Sequence, residues 1–261
     1  MMTQFRLILH LLLLLSCLSH LRAGELAAPE PGLQQAKILI ATDLWAGFTE
    51  PDGRGAYQHL LVLIFPHHTE LAFHYTSYSR AVAMVEQQQA DMVIGVGRND
   101  SRQVLLSDWP FDVDQIAMLY LAGQLQLDES SQLSQLQLAT QRGYNYNLVL
   151  NIDTVSYEVN SIQTGVSMVK NRRVDAFLVE KTELKNKLSA EDLAGLELRF
   201  LKGEPIFMGF ADNTRGLELK RWWDQQYQQL YLNGQLELLY LQYPDFILPE
   251  LALKPARTNE P

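Results

Sequence analysis

The sequence predicts an α/β protein built of two similar units, each a mostly parallel sheet flanked by helices. Three observations lead there. In the first half, short β-rich runs alternate with helical stretches in the order strand, helix, strand, helix, strand, which places helices on the faces of a parallel sheet. The second half repeats the alternation. Finally, "MVEQQQADMVI", starting at Met84, is echoed by "MVKNRRVDAFL", starting at Met168. Each reads Met-Val, a polar stretch, one small or branched apolar residue, Asp, then an apolar run, and each falls at a helix-to-strand junction.

The elements follow in order. "KILIATDLW" (37–45) is a β-rich run ending in a polar turn, and "TEPDGRG" (49–55) is a loop broken by Pro and Gly. "AYQHLLVLIFP" is a helix stopped at Pro66. "ELAFHYTSY" alternates as a strand does, and "SRAVAMVEQQQA" is a helix with Ser79 as the cap of its first turn. "DMVIGV" is a buried strand. In the second half, "QLQLATQRGY" is a strand entering a turn, "VSYEVN" a short strand or connection, "SIQTGVSMVKNRR" a helix and "VDAFLVE" a strand. "GLELRFLKGEPIFMGFA" reads as two strand-like runs, and "GLELKRWWDQQYQQLYLNGQLELLYLQYP" as a helix broken at Asn233-Gly234 and a second short helix. The stripe of Trp222, Trp223, Tyr227, Leu230 and Tyr231 is read as packing. Asp91 and Asp175, at the echoed junctions, are read as structural, bonding nearby backbone N–H groups.

The chain has 261 residues, 47% of them hydrophobic and 20% charged, enough for two cores and too apolar for disorder. A formal charge of −9 repels phosphate backbones and argues against nucleic acid as a partner. Residues 1–23 read as a signal peptide: Arg6, a leucine run, then small and polar residues, with cleavage after Ala23. Losing Arg6 and Arg22 from 21 basic residues leaves 19 against 30 acidic, a balance of −11. The apolar run is short for a membrane span. Cys17, the single cysteine, stands in "LLSC", which offers lipid anchoring as an alternative to a soluble periplasmic form.

Catalytic patterns are absent. There is no Gly-x-Ser-x-Gly elbow, phosphate loop or dinucleotide fingerprint, and "GVG" (95–97) is too short to count. His67, His68 and His74 lack the spacing of a helical metal pair. The expectation is a protein that is not an enzyme and uses no cofactor or metal. Binding features remain. In open parallel sheets, ligands sit beyond the C-terminal ends of strands, and the loops "DLWAGF", "TSYSR", "GRNDSR" and "TQRGYNYN" lie there. With Asp100 or Ser101 capping a following helix, Arg102 falls in its first turn, where guanidinium and free N–H groups together suit a carboxylate. Arg98 is a second cation nearby, and Trp45 and Tyr78 offer flat apolar walls.

"ATDLWAGFTEPDGRGAYQHLL", "ADMVIGVGRNDSRQVLLSDWPF", "VDAFLVE" and "LYLNGQLELLYLQY", in this order and spacing, resemble the bacterial extracellular solute-binding proteins of family 3, which serve polar amino acid uptake. The resemblance spans roughly 37–243. It implies a two-lobed periplasmic binding protein-like fold, with lobe 1 formed by 36–117 and 207–250, lobe 2 by 118–206, and a tail at 251–261. It implies that Arg102 grips a carboxylate, Trp45 stacks on the ligand, the turn at Arg142, Gly143 and Tyr144 adds backbone donors, and Glu180 takes an amine. Asp43, in the first loop, is a further candidate contact. "GVGRNDSR" lacks the family's threonine, so the implied ligand is a small polar or carboxylate-bearing solute rather than a defined amino acid. The function implied is capture by hinge closure for an inner-membrane ABC transporter permease, by a monomer. Two alternatives stay open: an enzyme on the same frame, using Glu180 or Asp43 as acid or base, and a sensory or structural protein with a degenerate cleft.

Overall fold

The computed structural model describes residues 37–249 apart from 66, 68, 102, 126–129 and 155. The expected signal peptide, Cys17, Pro66, Arg102 and the tail at 251–261 lie outside the described residues. The strands are β1 (Lys37–Thr42), β2 (Glu70–Tyr75), β3 (Met92–Gly97), β4 (Val104–Leu106), β5 (Asp112–Leu121), β6 (Leu138–Gln141), β7 (Tyr157–Val159), β8 (Ala176–Glu180) and β9 (Leu196–Ala211). The helices are α1 (Ala56–Ile64), α2 (Tyr78–Glu86), α3 (Tyr146–Val149), α4 (Ile162–Lys170), α5 (Lys181–Lys187), α6 (Ala190–Leu193), α7 (Thr214–Leu232) and α8 (Gln235–Tyr240).

The fold is two-lobed α/β. In the first lobe β2, β1 and β3 run parallel, in the second β8, β6 and β7 do, and in each the parallel part ends on one antiparallel neighbour. Those neighbours, β9 and β5, pair with each other from Asp112↔Ile206 to Leu121↔Leu196 and so join the lobes. β5 takes β8 as its other partner from Ile116 onward, while β9 takes β3 from Ile206 onward. The passage between lobes is therefore the short stretch of β5 and β9 where both change partner.

Parallel neighbours need helical crossovers, and the sequence supplies them with one apolar face each. On α2 the residues Ala81, Val82 and Val85 pack on Ala41, Val93 and Val96 of the first sheet. On α4 the residues Ile162, Val166 and Val169 pack on Ala139, Phe177 and Val179 of the second. Gly165, on the same face, leaves room for the Phe177 ring: a Cβ there would stand 2.6 Å from it. The aromatic stripe of α7 is core, as expected. Trp223 is fully buried, stacks on Tyr227 at 6.0 Å and meets Phe111 and Phe210 edge-on.

The echoed aspartates do the same work twice. The Leu39 backbone N–H donates to Asp91 Oδ2 at 2.8 Å, and the Gln137 backbone N–H donates to Asp175 Oδ2 at 2.8 Å. Each carboxylate fastens the strand it begins to the neighbouring parallel strand or its entry.

Three expectations are corrected. The cap of α2 is Ser77, not Ser79, and its side chain makes no capping bond; the Tyr78 N–H of the first turn is taken instead by Asp43 Oδ2 at 3.1 Å. No helix follows Asp100: the chain passes from a turn at 98–100 to strand β4, so the described residues flanking Arg102 form no helix start. The two strand-like runs before Asp212 are one strand of 16 residues. Gly203 sits where a Cβ would come within 2.6 Å of Val113, and Pro205 is accommodated opposite Val113 where the strands leave one lobe for the other.

Candidate functional site

A cleft of about 640 Å³, counted with its open mouth, lies between the lobes. Its first-lobe wall is the loop after β1, with Trp45 and Phe48, together with Tyr57 of α1 and Tyr78 of α2. Its second-lobe wall is Tyr144, Glu180 and the inner face of α5. Asp112, Val113 and Asp114, at the start of β5, form the floor with Gly95 and Ile206.

Local chemistry sets each wall. Thr49 Oγ1 accepts from the Trp45 N–H at 2.9 Å and donates to the Asp43 carbonyl at 2.7 Å, closing the first loop so that the indole faces inward. Gly95 has φ +78°, at an irregularity in the β3–β9 register, and a Cβ there would lie 3.5 Å from the Trp45 ring. The positive φ, rather than space, is what calls for glycine there. Trp45 lies 6.1 Å from Tyr78, centre to centre, and Tyr78 lies 5.4 Å from Tyr144 across the cleft. Burial pushes the phenols of Tyr57, Tyr78 and Tyr144 well above their usual range, so all stay neutral.

Further contacts bridge the lobes. Asn186 Nδ2 donates to the Ala46 carbonyl at 3.2 Å, and Asn145 Nδ2 donates to Asp100 Oδ1 at 3.4 Å. Gly143, at φ +90°, approaches α2 so closely that a Cβ would stand 2.1 Å from Ser79 Oγ. The arrangement is a closed one, with both lobes in contact around the cleft.

The cleft is acidic. Asp112 accepts from the Tyr57 hydroxyl at 2.6 Å and from the Val113 and Ile247 N–H groups at 2.7 and 2.9 Å, yet burial lifts its carboxyl to about 7. Asp114 is pushed well above the usual carboxylate range, first by burial and then by the charges of Glu180, Asp112, Glu204 and Asp100. Glu180 is raised by burial, offset in part by its bonds from Thr182 Oγ1 and the Glu183 N–H, both at 2.8 Å. Behind the floor, Glu204 is lifted to about 7 by burial and by Asp100. Such shifts gather where protons or charged ligands are handled.

The residues singled out from sequence fall into two groups. Trp45, Tyr78, Tyr144 and Glu180 line the cleft together. The others stand behind or beside it. Asp43 is occupied in the loop, accepting from the Leu44 and Tyr78 N–H groups. The Arg98 guanidinium lies 4.3 Å over the Phe207 ring. Arg142 pairs with Glu158 at 3.4 Å, both side chains largely exposed. Gly143 packs on Ser79. Sequence reasoning missed Asp112 and Asp114. Two aspartates one residue apart at the mouth of an apolar strand, "DVDQIAMLYL", were the available signal, since alternation puts both on one face. Among the described residues, no group of three or more His, Cys, Asp or Glu is arranged to hold a metal ion, and no helix is long and apolar enough to cross a membrane.

No family model matches the sequence, and no curated protein matches it significantly. Solved structures match in fold. A histidine kinase sensor domain with similarity to periplasmic binding proteins superposes with a TM-score of 0.64 at 14% identity, covering 82% of this chain and 98% of that one. An arginine 3rd transport system periplasmic binding protein from Legionella pneumophila gives 0.61 at 16% identity, over 80% of this chain and 99% of its own. An ABC uptake transporter substrate-binding protein from Streptococcus pneumoniae with bound histidine gives 0.60 at 15% identity, over 79% and 92%. The architecture is thus that of the periplasmic binding proteins, in their two-lobed α/β form.

Proposed function

We propose that this chain is a solute-binding protein that captures a small polar solute by closure of its two lobes. The observation that carries this reading is the convergence of Trp45 and Tyr78 from one lobe with Tyr144 and Glu180 from the other on a single cleft. A solute touching both walls favours the closed state by its differential contacts alone. On this reading the lobes are 36–117 with 207–250, and 118–206, and they hinge where β5 and β9 change partners.

The proposal includes export by the leader at 1–23 to the periplasm, as a monomer, with lipid attachment at Cys17 as its alternative, and delivery to an ABC transporter permease. The kinship in fold with transport-system binding proteins supports it. Arg102 is carried in the proposal as the contact for a carboxylate, should the solute bear one. An acid or base role at the cleft falls to Asp114 rather than to Glu180 or Asp43, whose oxygens are engaged.

A thermal-shift screen of the mature protein with amino acids, small carboxylates and polyamines tests the reading. At least one solute is expected to raise Tm and to shrink the radius of gyration in solution scattering. Stabilisation by none of them, or turnover of a bound member, overturns it.

A further inference from the structure

Every lining carboxylate but one is already served. Asp112 holds the Tyr57 hydroxyl and two backbone N–H groups. Glu180 holds Thr182 and caps α5, Glu183 holds Lys187 at 2.5 Å, and Asp245 is engaged as well. Asp114 accepts no hydrogen bond from any described residue, and the surface it keeps borders the cleft. Asp114 is half-buried, and a carboxyl with no donor of its own is open to a partner from the cleft.

The rest of the lining offers a solute little positive charge. Among the described residues, the cation on the wall is Lys187, and Glu183 neutralises it. Thr182 donates to Glu180, and Asn186 donates to the Ala46 carbonyl. The cleft also presents neutral ring faces and the Asp114 carboxyl. Ring faces carry negative potential and attract cations, most strongly when water is excluded. An anion would push the floor carboxyls further from ionisation, whereas a cation gains from the ring faces and from the carboxylate that its arrival favours.

We propose that the solute is a small organic cation, its ammonium or guanidinium group seated over the Asp114 carboxyl against the aromatic wall of Trp45, Tyr78 and Tyr144. This rests on the solute-binding reading above and names its substrate class. The charges that bear most on Asp114 are those of Glu180 at the end of β8, Asp112 on its own strand, Glu204 on β9 and Asp100 after β3, all acidic. Lys202 acts on Glu204, and the Glu183–Lys187 pair lies on α5. Burial and its acidic neighbours push the Asp114 carboxyl up, and an arriving cation favours its ionised form, so binding is linked to proton release.

The test is calorimetric titration of the mature protein with agmatine, putrescine, arginine and glutamate, repeated in buffers of different ionisation enthalpy. Agmatine, a guanidinium without a carboxylate, is expected to bind with release of a proton, and glutamate is expected not to bind. Asp114→Asn is expected to weaken agmatine binding by roughly 10- to 100-fold, with Tm unchanged or raised, since it removes a buried acid. Tyr144→Leu, an independent change in the ring wall, is expected to weaken it by about tenfold. Glutamate binding as tightly as agmatine, or an unaltered affinity in a folded Asp114→Asn protein, overturns the cation assignment and leaves the solute-binding reading standing. Binding of none of these, and of no member of the wider solute screen, overturns both.

Discussion

Asp91 and Asp175 occupy matching places, yet their environments differ enough to separate them in energy. Asp91 is partly buried; besides the Leu39 N–H it accepts from Arg215 Nε at 2.7 Å. Asp175 is exposed, and its recorded partner is the Gln137 N–H. Asp91→Ala is expected to cost about 1.5–3 kcal/mol, because it strands a charged partner as well as a strand N–H, and Asp175→Ala about 0.5–1.5 kcal/mol. Urea denaturation of the two variants checks the order; equal losses would contradict it. The role of these aspartates was legible because an acidic residue at a repeated helix-to-strand junction has few other uses. Asp114 was not legible in the same way. Its importance comes from lacking a donor among neighbours contributed by β8, β9 and the loop after β3, and a sequence shows none of those approaches.

Among the elements, helices and parallel strands were readable because each lobe keeps its own period and its own apolar faces. The errors fell where tertiary contact overrides local signals. Ser79 has the chemistry of a cap, but its hydroxyl abuts Gly143 of the other lobe, and Asp43 reaches over to serve the helix start. Asp100, read as a cap, accepts instead from the Gly97 N–H at 2.9 Å and from the Tyr78 hydroxyl. The tight seat of α4 on β8 gives a prediction at this scale. Gly165→Ala gains up to about 1 kcal/mol of helix propensity, but its methyl meets the Phe177 ring, which is fully buried and has nowhere to move. Overpacking of about 1–3 kcal/mol should dominate, so Tm is expected to fall. A rise in Tm would show that α4 lifts from the sheet without cost.

For the whole molecule, the acidic interior sets how stability depends on pH. Asp112 and Glu204 titrate near 7 in the folded protein, against 3.8 and 4.5 for the free groups. The folded state therefore binds more protons than the unfolded state between those values, and stability falls as pH rises from about 4 to about 7. Tm is expected to be higher at pH 5.5 than at pH 8, and Glu204→Gln is expected to flatten the difference. A Tm that climbs steadily toward pH 8 would refute this assignment. The two-lobe architecture and the cleft aromatics Trp45, Tyr78 and Tyr144 could be read from the chain, because strand-end loops and aromatic side chains mark themselves, while Glu180 came from the family resemblance alone. The acidity of the floor could not, since it arises only when β5 and β9 carry their carboxylates between the lobes.

That shared passage constrains the order in which the chain can fold. β9 supplies a strand to both lobes and is followed only by helical segments among the described residues. Neither lobe can complete its sheet until this late segment is in place. A fragment ending at 195 is expected to melt without a cooperative transition; if it unfolds sharply instead, one half has assembled on its own.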